Sequence, residues 1–205
     1  MLKISDFFLN KKKENILSIG YLEIEHSQIV NLIGNNNSGK SLFFKTIHGD
    51  YFNFSGDIII KEKPAVFYRK RKQTALVEVA SNLLPNETVW ANILLPFPKI
   101  SSRIKMKISE LCFLVGIDDI LHEKVRNISF SQQKFVEIIR SVVQLPYLVM
   151  VDDIDMYFDE VNYAKAIEVL KFAVSSGSSV LLSSKKKLPY VDRTIKIQTS
   201  TVVEL

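Results

Sequence analysis

Cysteine is almost absent from this 205-residue chain, and the lone Cys112 cannot close an internal disulfide. A fold stapled by disulfides is excluded. Histidines number only three, His26, His48 and His122, and they are too scattered for zinc-ligand spacing, so a metal is expected only together with a bound nucleotide. No apolar run approaches the ~18 residues needed to cross a bilayer. The opening Met1-Leu2-Lys3-Ile4-Ser5-Asp6 has neither the basic start nor the long apolar core of a signal peptide, which leads to the expectation of a cytosolic chain. Internal repeats and low-complexity linkers are lacking as well. With 47% hydrophobic residues, the length suits one sizeable core, with room for an inserted subdomain but not for two independent domains.

Acidic residues are the scarcer charged class, 22 against 27 basic, for a net charge of +5. The runs Lys11-Lys12-Lys13, Arg69-Lys70-Arg71-Lys72 and Lys185-Lys186-Lys187 are far apart in sequence and carry no interleaved aromatics for base stacking. No nucleic-acid partner is expected. An anionic membrane surface accounts for the same charge equally well.

What the chain does contain is Gly34-Asn35-Asn36-Asn37-Ser38-Gly39-Lys40-Ser41, which fits G-x-x-x-x-G-K-[S/T]. Glycines let such a loop turn its backbone N–H groups inward onto phosphate oxygens, ending on a helix N-terminus with its partial positive charge. Lys40 is placed to reach the β- and γ-phosphates and the Ser41 hydroxyl to ligate Mg²⁺. The flanks agree: Gln28–Ile33 is an apolar run suited to a buried parallel strand, and Leu42, Phe43, Thr46 and Ile47 are spaced for one helix face.

Around this loop, Leu2–Phe7 and Ile16–Ile24 alternate as an antiparallel strand pair split by the charged turn Lys11–Glu14. His48-Gly49-Asp50 reads as a helix stop, and Ser55-Gly56-Asp57 as a turn before the strand Ile58–Ile60; a basic loop over Tyr68–Gln73 then leads to a further strand, Thr74–Val77. From about residue 85 to 145 the period changes. Ile104, Ile108, Leu111 and Val115 make one helical stripe ending at Gly116, and Phe135, Ile138, Ile139, Val142 and Val143 make a second, an inserted helical subdomain between core segments 1–84 and 146–205. Tyr147–Val151 is then a continuous apolar strand closing on Asp152-Asp153, followed by a helix over Ala164–Ala173 and the strand Val180–Leu182. The alternation predicts an α/β fold, a mostly parallel sheet core with helices on both faces and an antiparallel N-terminal part.

Asp152, at the carboxyl end of an apolar strand, is placed to hold a Mg²⁺ shell, and Asp153 beside it to orient an attacking water. Ahead of it by 24 positions begins Ile128-Ser129-Phe130-Ser131-Gln132-Gln133-Lys134. With that segment the chain resembles the nucleotide-binding subunits of ABC ATPases, whose L-S-G-G-Q signature precedes the strand-end aspartate by the same interval. Ser55–Ile58 resembles the family's S-G-x-I hairpin, Leu83–Asn92 its L-L-P-x-x-T-V-x-E-N stretch, Asp152–Asp155 its D-E-P-T, and Asp159 stands at its D-loop aspartate. The compact length and the ungapped run Asp152–Lys186 look most like the FtsE group, with LolD- and MacB-type ATPases as near relatives. The resemblance implies a P-loop NTPase fold, ATP and Mg²⁺ as cofactors, and a head-to-tail dimer, homo- or heteromeric with another ABC ATPase subunit. It further implies an FtsX- or MacB-like integral-membrane permease as partner and a peripheral position on the inner face of the cell membrane. Residues 34–42 (Gly34, Asn35, Asn36, Asn37, Ser38, Gly39, Lys40, Ser41 and Leu42) then cradle the nucleotide, Ser41 and Asp152 hold the metal, Ser129 contacts the γ-phosphate across the dimer, and Phe8 or Phe7 stacks on adenine.

Several positions depart from the family's pattern. Asp153 stands for the catalytic glutamate, and a carboxylate withdrawn by about an ångström can lose roughly 100-fold in rate. Lys185 stands for the switch histidine and supplies charge without a near-neutral proton. Val79 falls where the Q-loop glutamine belongs and can neither ligate metal nor position water. Phe130 and Ser131 replace the signature glycines, and Leu42 a common threonine. Groups that bind phosphate and metal are kept while those that time hydrolysis are altered. Two outcomes stay open: a slow ATPase that drives a permease, and a non-hydrolysing, nucleotide-gated interaction module of a cell-division or envelope complex.

Overall fold

The computed structural model describes residues 2–12, 14–198 and 201–204, so Lys13 of the first basic run lies outside the described residues. Ten strands form one mixed sheet in the order β5-β4-β1-β2-β10-β9-β3-β8-β7-β6. β1 (Leu2–Lys11), β2 (Glu14–Ile24), β4 (Phe54–Ile60) and β5 (Lys63–Pro64) make its antiparallel end. β3 (Ile29–Ile33), β6 (Thr74–Val77), β7 (Leu148–Val151), β8 (Ser179–Ser184) and β9 (Arg193–Gln198) run parallel. β10 (Thr201–Glu204) joins the two parts, antiparallel to β9 and parallel to β2.

Helices cover both faces because the central strands are apolar on both. All residues of β3 and β7 are buried, and alternate residues serve opposite layers: Val149 and Val151 pack with one core, Leu148 and Met150 with the other. The first core is closed by α3 (Val89–Leu94), α4 (Ser102–Val115), α5 (Phe130–Val142) and α6 (Glu160–Ser175), where Ile108, Leu111, Ile138 and Ile139 are all buried. The second is closed by α1 (Lys40–His48) and α2 (Ala65–Arg69) through Phe43, Phe44, Ile47 and Tyr68. Between Pro85 and Tyr147 there is no named strand.

Two local expectations are corrected. Ser55-Gly56-Asp57 is not a turn before a strand; it lies inside β4, at a register shift opposite Ser5–Phe8 of β1. Gly56 takes φ 91°, and a Cβ there would come within 2.2 Å of the Asp6 carbonyl oxygen, so the strands can cross this closely only at glycine. The stretch Tyr68–Gln73 is not all loop, since α2 runs through Arg69. β9 and β10 have no counterpart in the sequence reading, and they complete the sheet between its two halves.

Candidate active site at the ends of the parallel strands

β3 delivers the chain into the loop of residues 34–39, and Gly34 N–H donates to the Ser184 carbonyl at 3.2 Å, tying the loop to the end of β8. A Cβ at Gly34 would meet Ser38 Oγ at 2.6 Å and Ile197 Cβ at 3.3 Å, so this first glycine is set by close packing. Asn37 (φ 63°) and Gly39 (φ 93°) carry the left-handed turns, a conformation asparagine tolerates better than most residues. Lys40 is buried and folds back over the loop, with Nζ donating to Gly34 O at 2.8 Å and Asn35 O at 3.2 Å and lying 3.6 Å from Asp153 Oδ1. Ser38 Oγ is buried and has no hydrogen-bond partner in the protein. An unmet buried hydroxyl in a loop over which the Lys40 ammonium is folded fits a ligand that supplies oxygen acceptors.

β7 ends on Asp152, whose carboxyl is buried. Its Oδ1 accepts from Ser183 Oγ at 2.6 Å, and the Ser41 hydroxyl lies near enough to favour the charged carboxylate. Burial raises the Asp152 carboxyl above its ordinary value, opposed by the Ser183 hydrogen bond, by Ser41 and by the Lys40 charge. Tyr157 closes the other side, its hydroxyl donating to the Asp152 carbonyl. Asp153 holds a left-handed backbone (φ 45°), an uncommon state for a non-glycine residue at a strand end. Its N–H donates to Ser183 Oγ at 2.7 Å.

Ser183 therefore links both carboxylate residues, and the sequence reading missed it. The available signal was a pair of serines ending an apolar strand. Ser41 and Asp152 are the oxygen donors a divalent ion would use; among the described residues no group of three or more His, Cys, Asp or Glu could hold a metal alone. That donor set suits Mg²⁺, which keeps waters and shares phosphate oxygens.

A cavity of about 410 Å³ opens over the loop, lined by residues 36–42, Lys11, Ile16 and Asp153. Phe8 is not in that lining: β1 alternates so that Phe7 and Leu9 are buried and Phe8 stands exposed on the other side. Phe7 is core, edge-on to Phe43 with centroids 5.5 Å apart. Lys11 and Ile16 make the wall of this cavity beside the loop. Lys185 is exposed and outside the lining too. Its N–H donates to Asp155 Oδ2 at 3.1 Å, while the Lys186 carbonyl accepts from Ser184 Oγ at 2.6 Å and Asn31 Nδ2 at 3.4 Å, so the turn is pinned by its backbone.

Ser129 lies apart from the cavity as the N-cap of α5, its hydroxyl accepting from Gln132 N–H at 3.3 Å in a capping box. Phe130 is half exposed, edge-on to Tyr157. One turn further, Lys134 and Glu137 form a buried ion pair at 2.7 Å. Lys134 Nζ donates to the Glu78 carbonyl at 2.5 Å, and Glu137 Oε1 accepts from Ser81 Oγ at 2.8 Å and Asn82 N–H at 2.9 Å. The helix that carries Ser129 is thus fastened to residues 78–82, where Val79 sits partly buried against the core. A larger cavity of about 740 Å³, between α4 and α6, contains none of these groups.

A family model described as ABC transporter matches residues 19–155, more than half of the chain. Among curated proteins, the methionine import ATP-binding protein MetN of Clostridioides difficile (strain 630) is 28% identical over 164 residues, 76% of this chain and 51% of that protein. The zinc import ATP-binding protein ZnuC of Wolbachia pipientis wMel is 26% identical over 185 residues, 90% of this chain and 73% of that protein. The chain spans about half the length of the MetN relatives it matches. Among solved structures, cbiO1 from Clostridium perfringens superposes with TM-score 0.82 at 20% identity, over 98% of this chain and 86% of that one. A dimeric ATP-binding cassette in a post-hydrolysis state with ADP and Pi superposes with TM-score 0.84 at 19% identity, over 100% of this chain and 98% of that one. At these identities the structural likeness establishes the fold.

Proposed function

The chain belongs to the ABC transporter family, and from that premise we propose that it is a MgATP-binding subunit whose nucleotide-dependent dimerisation drives a membrane permease, with slow hydrolysis. The observation that carries the reading is the loop of residues 34–39, with Lys40 turned onto its carbonyls and Ser38 Oγ unpartnered, beside Ser41 and Asp152. Lys40 and the loop amides would hold the phosphates, and Ser41 with Asp152 the Mg²⁺, which when bound neutralises phosphate charge. Asp153 would orient water only after its ion pair with Lys40 loosens, which supports slow turnover.

Ser129 remains a proposed contact to the γ-phosphate across the dimer, and Lys185 a proposed source of charge toward the γ-phosphate; both are exposed on the surface. The names of the relatives, methionine and zinc import, favour an import permease over the FtsX- or MacB-like one. Among the described residues no helix is long and apolar enough to cross a membrane; a permease partner and a peripheral position on the inner face of the membrane are further parts of the proposal.

ATP binding and phosphate release measured together on the purified chain test it. Losing Lys40's charge-assisted bonds, worth about 1.5–3 kcal/mol, should weaken ATP binding roughly 10- to 150-fold in Lys40→Ala. Slow, Lys40-dependent release that rises in Asp153→Glu supports the enzyme. ATP-induced dimers with no release in either form support the second reading, a nucleotide-gated module, and no ATP binding removes both.

A further inference from the structure

We propose that this chain carries a second anion site, apart from the phosphate loop, which takes a phosphate group on Arg69, Lys70, Lys72 and Arg140. β6 is the last strand of the sheet, with α1 packed on one face and α5 on the other, and among the described residues no strand pairs with its outer edge. That edge opens into a hollow of about 370 Å³, whose lining holds these four cations and His48 and no carboxylate. The local chain gathers the charges. α2 ends on Arg69, and the turn after it is closed by Arg71 N–H to Tyr68 O at 3.1 Å, Lys72 N–H to Arg69 O at 2.9 Å and Gln73 N–H to Tyr68 O at 2.9 Å. Lys72 takes φ 55°, a left-handed state uncommon for a non-glycine residue. With the chain reversed in this way, Lys70 and Lys72 line the same hollow as Arg69, while the Arg71 guanidinium lies 3.7 Å over the Phe67 ring.

Arg140 reaches the hollow from α5, and its guanidinium donates to Asn82 Oδ1, a neutral carbonyl. Burial pulls it below its ordinary value, with Glu137 opposing. The nearby carboxylates are engaged: Asp50 pairs with Arg69 and lies 3.7 Å from His48 Nε2, Glu78 is held by Lys45 at 2.9 Å, and Glu137 by Lys134 at 2.7 Å. Among the described residues Lys70, Lys72 and Arg140 have no salt-bridge partner. α1, α2 and α5 also end here, on His48, Arg69 and Val142, and a helix C-terminus carries about half a negative charge. Those helix ends and Asp50 offset only part of four positive charges. The surplus suits a multiply charged anion, and a phosphate group offers oxygens to guanidinium and ammonium donors alike. The site is independent of the nucleotide-binding reading, since the phosphate loop lies at the opposite end of α1.

The test is titration of the full chain with pyrophosphate, read by proton NMR of the His48 ring. Only three histidines occur, so His48→Gln assigns the signal. The signal should move saturably with pyrophosphate, and rising salt should weaken the response. Lys70→Gln with Lys72→Gln, both at exposed positions, should weaken binding roughly 5- to 30-fold, the range for two exposed charge contacts. Lys40→Ala, which disables the phosphate loop, should leave it within about 2-fold, because distant sites act independently. A response kept in the lysine double variant and lost in Lys40→Ala assigns the anion to the phosphate loop and overturns the proposal. So does the lack of any saturable response below about 10 mM. Free phosphate compounds and lipid headgroups share this chemistry, and vesicles separate them. If phosphatidylglycerol vesicles sediment the parent chain but not the double variant, the site takes a headgroup; if they sediment both equally while the double variant loses pyrophosphate, it takes a free phosphate compound.

Discussion

Ser183 Oγ lies 2.6 Å from Asp152 Oδ1, and the same oxygen receives the N–H of Asp153 at 2.7 Å. One buried hydroxyl on β8 therefore sets both acidic residues at the end of β7. Its removal strands a buried N–H and a buried carboxylate oxygen, each worth about 1–3 kcal/mol when unmet. Ser183→Ala should lower unfolding free energy by about that amount in urea, and Ser183→Thr should recover much of it. An alanine variant as stable as the parent would show the hydroxyl to be idle.

Asp152 predicts the opposite sign. Burial lifts its folded-state value above the ordinary carboxylate value, so the fold binds this proton more tightly than the unfolded chain does. Ionised Asp152 thus works against folding at neutral pH, and the penalty is relieved as pH falls through the raised value. Asp152→Asn should melt higher at pH 7.5, by about 2–4 °C for each kcal/mol relieved, while Mg²⁺-dependent ATP binding drops. Calorimetry showing a lower melting temperature would refute the argument.

Lys134 and Glu137 should couple strongly. Deleting the lysine leaves a carboxylate buried without its cation, an imbalance of about 3–5 kcal/mol. Lys134→Met should be severely destabilised, and Lys134→Met with Glu137→Leu less so. Recovery should be partial, because Ser81 and Asn82 N–H also lose their acceptor. A double-mutant cycle with no coupling energy is the contrary result.

His48 links stability to mild acid. Burial pulls its imidazole below the ordinary 6.5, with Asp50 opposing and Arg69 assisting. The unfolded chain then binds the proton first, so stability should be full above about pH 6.5 and decline as pH falls through the lowered value. Denaturant midpoints at pH 7.5 and 5.5 should differ by less in His48→Gln than in the parent. An unchanged difference would assign the acid sensitivity to other groups.

Cys112 should be inert. It is fully buried on α4, and burial pushes its thiol up to about 12, so almost no thiolate exists at pH 8. A disulfide reagent should modify it only as fast as the chain unfolds; rapid labelling of native protein would contradict the buried placement.

Much of this molecule was written locally in the chain. The phosphate loop, the apolar strand closing on Asp152-Asp153, and the stripes of α4 and α5 are patterns within about 15 residues, because backbone turns and the helical repeat are local properties. What lay beyond reach came from residues far apart in the chain meeting across the sheet. Ser183 reaches Asp152 only because β8 pairs with β7 in register Leu182 to Val151. Ile16 and Lys11, not Phe8, reach the loop because a bulge between Leu9 and Asn10 and the alternation of β1 decide which side chains turn toward it. A strand's period is two, so one residue of register exchanges its faces. The sequence by itself determined the loop, its two carboxylates and the layered fold around them; which side chains line the cavity over the loop was decided by strand pairing, since register is set by the whole sheet and not by any one strand.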